Sequence, residues 1–175
     1  MRSVILASPG HLESADISPP PPPGRDEVQA AVCRVGICGT DLHAFRGTQP
    51  YFSYPRILGH ELSLRILAVG ETSHEHDFVV GDLCCVRPYL HCGQCSSCRR
   101  GLENCCENLQ VMGVHRDGGM QELINLPIRH LHKSSLLSPE ALALVETLSI
   151  SRHGVQRARI EPGKLYWLSA WDRSG

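Results

Sequence analysis

The sequence carries almost no net charge: 17 lysines and arginines against 18 aspartates and glutamates leave −1 at pH 7, with a pI near 6.8. It therefore lacks the basic footprint by which proteins attract phosphate backbones, and no nucleic-acid partner is expected. No apolar run approaches the roughly 20 residues of a membrane span, so no membrane partner is expected either. The apolar patch Val4-Ile5-Leu6-Ala7 is too short for a signal-peptide core. There is no internal repeat, which argues against a solenoid. No two glycines are separated by a single residue, so the Gly-x-Gly-x-x-Gly turn that seats a dinucleotide pyrophosphate is missing.

What the chain does have is 175 residues, 42% of them hydrophobic and 20% charged. That suffices for one domain with a buried core and argues against wholesale disorder. Nine cysteines and ten histidines are the unusual components. A secreted disulfide scaffold is normally shorter and evenly paired. Here five cysteines fall between Cys92 and Cys106, at spacings that suit a metal. Metal-bound cysteines are thiolates, so a reducing, cytoplasmic location is expected.

Along the chain, Pro9-Gly10 marks a turn after the first apolar run, and Pro19 to Pro23 form a stiff connector or ordered surface loop. Val28, Ala30 and Val32 alternate with polar residues as a strand does; so do Leu62, Leu64, Ile66 and Ala68 before Gly70. Phe78-Val79-Val80 and Leu83 to Val86 read as strands flanking a Gly81-Asp82 turn. Many short strands with Gly and Pro turns predict a mostly β fold with a few helices (α+β), of Greek-key barrel or sandwich type. Helix signals come late. Ser138 is a candidate N-cap with Pro139 at the first helical position, and a second helix is expected from about Thr147 to Ala158.

Cys92-Gly93-Gln94-Cys95-Ser96-Ser97-Cys98, followed by Cys106, is the strongest chemical signal. Four thiolates at such spacings can wrap one tetrahedral zinc with no position left open, which makes the site structural. Cys105 competes with Cys106 for the fourth place. Cys33, Cys84 and Cys85 read as small core residues. A second constellation is dispersed: Cys38-Gly39-Thr40-Asp41-Leu42-His43, then Gly59-His60-Glu61, then Glu146. Cys38 offers a thiolate, His60 an imidazole, and Glu61 or Glu146 a carboxylate. Three mixed protein ligands leave a fourth position for water or substrate, which is how a catalytic zinc is built.

In this order, together with Gly81-Asp82 and Gly113-Val114-His115…Asp117-Gly118-Gly119, the motifs resemble the zinc-dependent medium-chain dehydrogenases. The likeness is nearest to the branch acting on polyols, sugars and sugar acids, such as sorbitol and threonine dehydrogenases, and covers residues 1–163. It implies a GroES-like, partly open β-barrel as catalytic domain, with a structural-zinc lobe at about 91–107. It implies Cys38 and His60 as catalytic zinc ligands, Glu146 at the third-ligand position, and Glu61 beside the metal and able to exchange with water. Asp41 would orient His60, Thr40 would contact the substrate hydroxyl, and His43 would relay its proton to solvent. The family spacing favours Cys106 over Cys105. Family members are homo-oligomers that pass a hydride from a small-molecule alcohol, polyol or sugar acid to NAD or NADP.

The sequence departs from that pattern in three places. Ser63 and Leu64 stand where glycine is usual, and Thr147 stands where proline or methionine is common. After Glu161-Pro162-Gly163 the expected dinucleotide-binding strand and glycine turn do not appear. Joining the third base of each codon from Leu165 to the first two of the next permits Val-Leu-Val-Val-Gly-x-Gly-Pro-Ile-Gly. Residues 164–175 are therefore expected to be an aberrant, frameshifted tail, with the Rossmann cofactor domain absent. The sequence-based expectation is a zinc-binding catalytic-domain fragment of an alcohol, polyol or sugar dehydrogenase. It should be inactive alone, not bind NAD or NADP, and tend to self-associate. The alternative is a free-standing zinc-binding interaction module without catalysis. A zinc-ribbon nucleic-acid binder is disfavoured by the net charge and by only Arg99 and Arg100 inside the lobe.

Overall fold

A computed structural model describes residues 1–73, 75–159 and 163. The expected aberrant tail, 164–175, lies outside the described residues. The chain opens with β1 (Arg2–Ser8) and β2 (His11–Asp16), an antiparallel hairpin whose turn is Pro9-Gly10. β1 also pairs with the two-residue β4 (Arg56–Ile57), opposite Ile5 and Leu6. The main sheet is built from β3 (Glu27–Gly36), β5 (Glu61–Val69), β6 (Leu83–Val86), β9 (Leu123–Pro127) and β10 (Leu131–Lys133). Its spatial order is β10-β6-β5-β3-β9, antiparallel throughout. The fold is mostly β with few helices, as expected.

The core follows from the alternation read in the sequence. Val28 and Ala30 from β3, Leu64 and Ile66 from β5, Cys84 from β6 and Leu126 from β9 are buried together. β5 breaks the alternation at its start, where Glu61, Leu62, Ser63 and Leu64 are all buried. There the strand is also covered by α3 (Pro139–Ala143), which buries Leu142 and Ala143. A smaller core of Leu6, Ala44 and Leu58 lies under Phe52, Tyr54 and Met120.

The expected N-cap forms: Ser138 Oγ accepts from the Ala141 N–H at 3.3 Å, with Pro139 in the first turn. The second expected helix, α4, spans Val145–Arg157, starting two residues earlier than its pattern indicated. Among the described residues no helix is long and apolar enough to cross a membrane. One strand expectation fails. Residues 78–80 are loop and turn, with Val79 and Val80 at 60% and 65% exposure. Val79 N–H donates to the Asp82 carboxylate at 2.9 Å, and Gly81 N–H to Ile66 O at 2.8 Å. The turn thus takes the hydrogen bonds a ladder would need. The proline run is an ordered surface loop, tied down by Asn125 Nδ2 donating to Pro21 O at 2.9 Å.

Candidate metal centres

β7 (Tyr89–Leu90) and β8 (Gln110–Val111) pair as a short ribbon that brackets a cysteine-rich excursion. Within it, the sulfurs of Cys92, Cys95, Cys98 and Cys106 all lie within 4.8 Å of one another. Cys105 is exposed and outside this group, while Cys106 is buried. The chain turns around the sulfurs with its amides pointing inward. Cys95 N–H donates to Cys92 Sγ and Cys92 N–H to Cys106 Sγ, both at 3.3 Å. Asn108 N–H adds a third at 3.4 Å. The amides of Gln94 and Cys95 draw the Cys92 thiol down to about 6, whereas lost hydration, then the Cys95 hydrogen bond, pushes Cys98 up to about 12. Four soft donors around one point fit a tetrahedral zinc. The lobe's own helix, α2 (Ser96–Arg99), buries no residue, so little apolar packing supports it.

The lobe is fastened to the barrel by a polar network that sequence reading did not anticipate. Arg87 donates to Glu103 at 2.7 Å, and the same guanidinium reaches His91 Nδ1 at 3.1 Å. Arg129 donates to His91 O at 2.8 Å and to His130 Nε2 at 3.3 Å. The His91 and His130 rings meet edge-to-face, with centroids 4.7 Å apart. His130 is fully buried, and its pKa is driven down to about 3 by burial first and then by the charges of Arg87, His91 and Arg129.

The second centre assembles at the mouth of the main sheet. Cys38 immediately precedes α1 (Gly39–Phe45), and His60 and Glu61 stand at the entry to β5. Donor atoms of Cys38, His60 and Glu61 lie within 4.8 Å of one another. His60 and Glu61 are buried. Asp41, also buried, ties the two segments together: Oδ2 accepts from Cys38 N–H at 2.9 Å and Oδ1 from Gly59 N–H at 3.4 Å. His60 Nδ1 lies 3.9 Å from Asp41 Oδ1 and has no hydrogen-bond partner among the described residues. A thiol, an imidazole and a carboxyl group therefore converge, the last two buried and the thiol partly so, a donor set that fits one divalent metal.

The His60 loop is clamped by the Asp117-Gly118-Gly119 segment. Gly118 N–H donates to Ile57 O at 2.7 Å and Gly119 N–H to Gly59 O at 2.8 Å. A Cβ at Gly118 would sit 2.2 Å from Gly59 O and 2.5 Å from Leu58 O, so only glycine permits this approach.

Three sequence-derived residues remain: Thr40, His43 and Glu146. Thr40 Oγ1 is 3.7 Å from Cys38 Sγ, and His43 Nδ1 is 3.2 Å from Thr48 Oγ1. Glu146, in the first turn of α4, is not in the Cys38 group; its carboxylate accepts from Tyr89 OH at 3.1 Å. Sequence reading missed Tyr89, which carries no motif. Burial, then Glu146, with smaller contributions from Cys38 and Glu61, pushes its phenol up to about 12.

Comparison with known proteins adds relatives to this geometry. The alcohol dehydrogenase GroES-like domain family matches residues 24–136. L-galactonate-5-dehydrogenase of Escherichia coli K12 is 44% identical over 82% of this chain and 42% of its own length. Sorbitol dehydrogenase of Bacillus subtilis 168 is 35% identical over 93% of this chain and 47% of its own. Among solved structures, an alcohol dehydrogenase (RspB) from E. coli CFT073, complexed with NADH, superimposes with a TM-score of 0.80. It is 32% identical, covering 91% of this chain and 46% of that one. The chain spans about half the length of the curated relatives it matches.

Proposed function

This chain belongs to the alcohol dehydrogenase GroES-like domain family, and on that premise we propose that it is the metal-holding catalytic half of a zinc-dependent dehydrogenase. The reaction is oxidation of a secondary hydroxyl of a polyol, sugar or sugar acid to a carbonyl. The observation that carries this reading is the convergence of Cys38, His60 and Glu61 donor atoms within 4.8 Å in a buried place beside Thr40. Zinc held there supplies Lewis acidity that lowers the pKa of a substrate hydroxyl, and a nicotinamide dinucleotide supplies the hydride acceptor. Thr40 positions the substrate oxygen and takes up the hydroxyl proton only as it gives up its own. His43, with Thr48 at its Nδ1, passes the proton toward solvent, a task suited to an imidazole. Asp41 holds the Cys38 and Gly59 backbones so that thiol and imidazole face one point. The substrate class is supported by relatives named for galactonate and sorbitol.

The 175-residue chain has no Gly-x-Gly turn, and hydride transfer needs the nicotinamide held in fixed orientation. Such positioning is worth about 7–11 kcal/mol of barrier. By itself the chain is therefore read as metal-binding without turnover. Metal analysis and a steady-state assay test both parts. Purified protein should hold two zinc ions, Cys38→Ala one, and Cys98→Ser should lose the lobe zinc. Unchanged zinc in Cys38→Ala would overturn the second centre. Saturable NAD or NADP reduction with sorbitol, galactitol, threonine or an aldonate, abolished by Cys38→Ala, would overturn the inactivity.

A further inference from the structure

Two carboxylates, Glu61 and Glu146, are available for one place at the Cys38 centre, and the structure gives each its own hydroxyl. Thr147 Oγ1 donates to Glu61 Oε1 at 2.9 Å, and Tyr89 OH donates to Glu146 Oε1 at 3.1 Å. The second oxygen of Glu61 is lodged against the backbone of its cross-strand partner Gly36. A Cβ there would fall 2.1 Å from Glu61 Oε2 and 2.8 Å from Glu61 Cβ. Glu61 is thus fixed between β3 and the first turn of α4, within the Cys38–His60 group, while Glu146 is held outside it.

We infer that Thr147 and Tyr89 are positioning residues that decide which carboxylate completes the metal centre: Thr147 presents Glu61, and Tyr89 holds Glu146 in reserve. This rests on the reading above that a metal binds at Cys38 and His60. A hydroxyl can do this without any proton moving. Its single donated bond orients one carboxylate oxygen and leaves lone pairs on both oxygens for a cation. The two anchors lie on different elements, β7 and α4, so each can be removed without touching the other.

The test uses the 175-residue chain with one equivalent of zinc in the four-cysteine lobe and Co2+ titrated into the second centre, read by affinity and by the visible ligand-field bands. In wild type, Glu61→Gln should weaken Co2+ binding while Glu146→Gln leaves it within about twofold. Thr147→Val should weaken binding about tenfold, as loss of a ligand's orienting partner does, and shift the bands. Thr147→Ser should restore both, which a purely structural role of the exposed Thr147 would not require. Tyr89→Phe should lower the band intensity as Glu146 joins the metal, and Tyr89→Phe combined with Glu146→Gln should return the wild-type spectrum. Wild-type affinity and bands in Thr147→Val, or equal weakening by Glu61→Gln and Glu146→Gln, would overturn the inference alone. Failure of wild type to take up any Co2+ beyond the lobe equivalent would overturn the metal centre itself.

Discussion

Acidification should destabilise this protein through one histidine. His130 is fully buried among Arg87, Arg129 and His91, whose effect Glu103 opposes, and its pKa falls from 6.5 to about 3. Below pH 6.5 the unfolded chain takes up a proton at this position that the folded chain refuses. The folded state is therefore at full advantage above pH 6.5 and loses ground as pH falls toward 3, by up to about 1.4 kcal/mol per pH unit. Between pH 6.5 and 4.5 the loss amounts to about 2 kcal/mol. His130→Gln keeps an acceptor for Arg129 Nε but cannot be protonated. Urea unfolding of zinc-loaded wild type and His130→Gln, followed by circular dichroism at pH 6.5, 5.5 and 4.5, measures the difference. Proton competition for the metal-binding thiolates is common to both proteins and drops out of it. The two stability profiles should diverge by that amount on acidification. Parallel profiles would refute the reasoning, because they would mean that His130 takes its proton in the folded state near its ordinary pKa.

Substitutions at two further positions probe the second centre. Asp41→Ala strips the acceptor from the Cys38 and Gly59 amides and should cost about 2–4 kcal/mol in urea unfolding, with Asp41→Asn costing less because one carbonyl oxygen remains; equal stability of all three proteins would show that those amides find other partners. Gly118→Ala drives a methyl into the Leu58 and Gly59 carbonyls and should cost about 1–3 kcal/mol. Calorimetry should show this as a drop of about 2–4 °C in Tm for each kcal/mol, and an unshifted transition would contradict the close approach.

The parts of the fold legible in the sequence were those with local causes. β3 and β5 were visible because alternate residues face one core, and α3 because Ser138 and Pro139 are a start signal in themselves. The four-cysteine lobe was visible because three of its thiols recur at steps of three. β4, β7 and β8, each two residues long, left no period to read. Phe78 to Val80 had strand composition, but Asp82 and Gly81 claimed their neighbourhood for a turn. The Arg87–Glu103–His91–His130 network escaped notice because its members are spread from residue 87 to residue 130 and meet only after folding. Thr147 was legible as a departure from the expected proline or methionine. Its consequence was not, since its partner Glu61 is 86 positions away in sequence.

The two centres are also mechanically connected. β7 carries Tyr89, whose hydroxyl holds Glu146, and two residues after β7 ends the chain enters the lobe at Cys92. The lobe has little apolar packing of its own, so its shape depends on whatever draws its four thiolates together. Arg87 to Glu103 and Arg129 to His91 O fasten it near the same ribbon. Releasing the lobe would therefore slacken β7 from its far end, and with it the hydroxyl that keeps Glu146 apart from Cys38 and His60. On the reading proposed above, the four-cysteine group would in this way bear on the donor set at Cys38 and His60 without any residue shared between them.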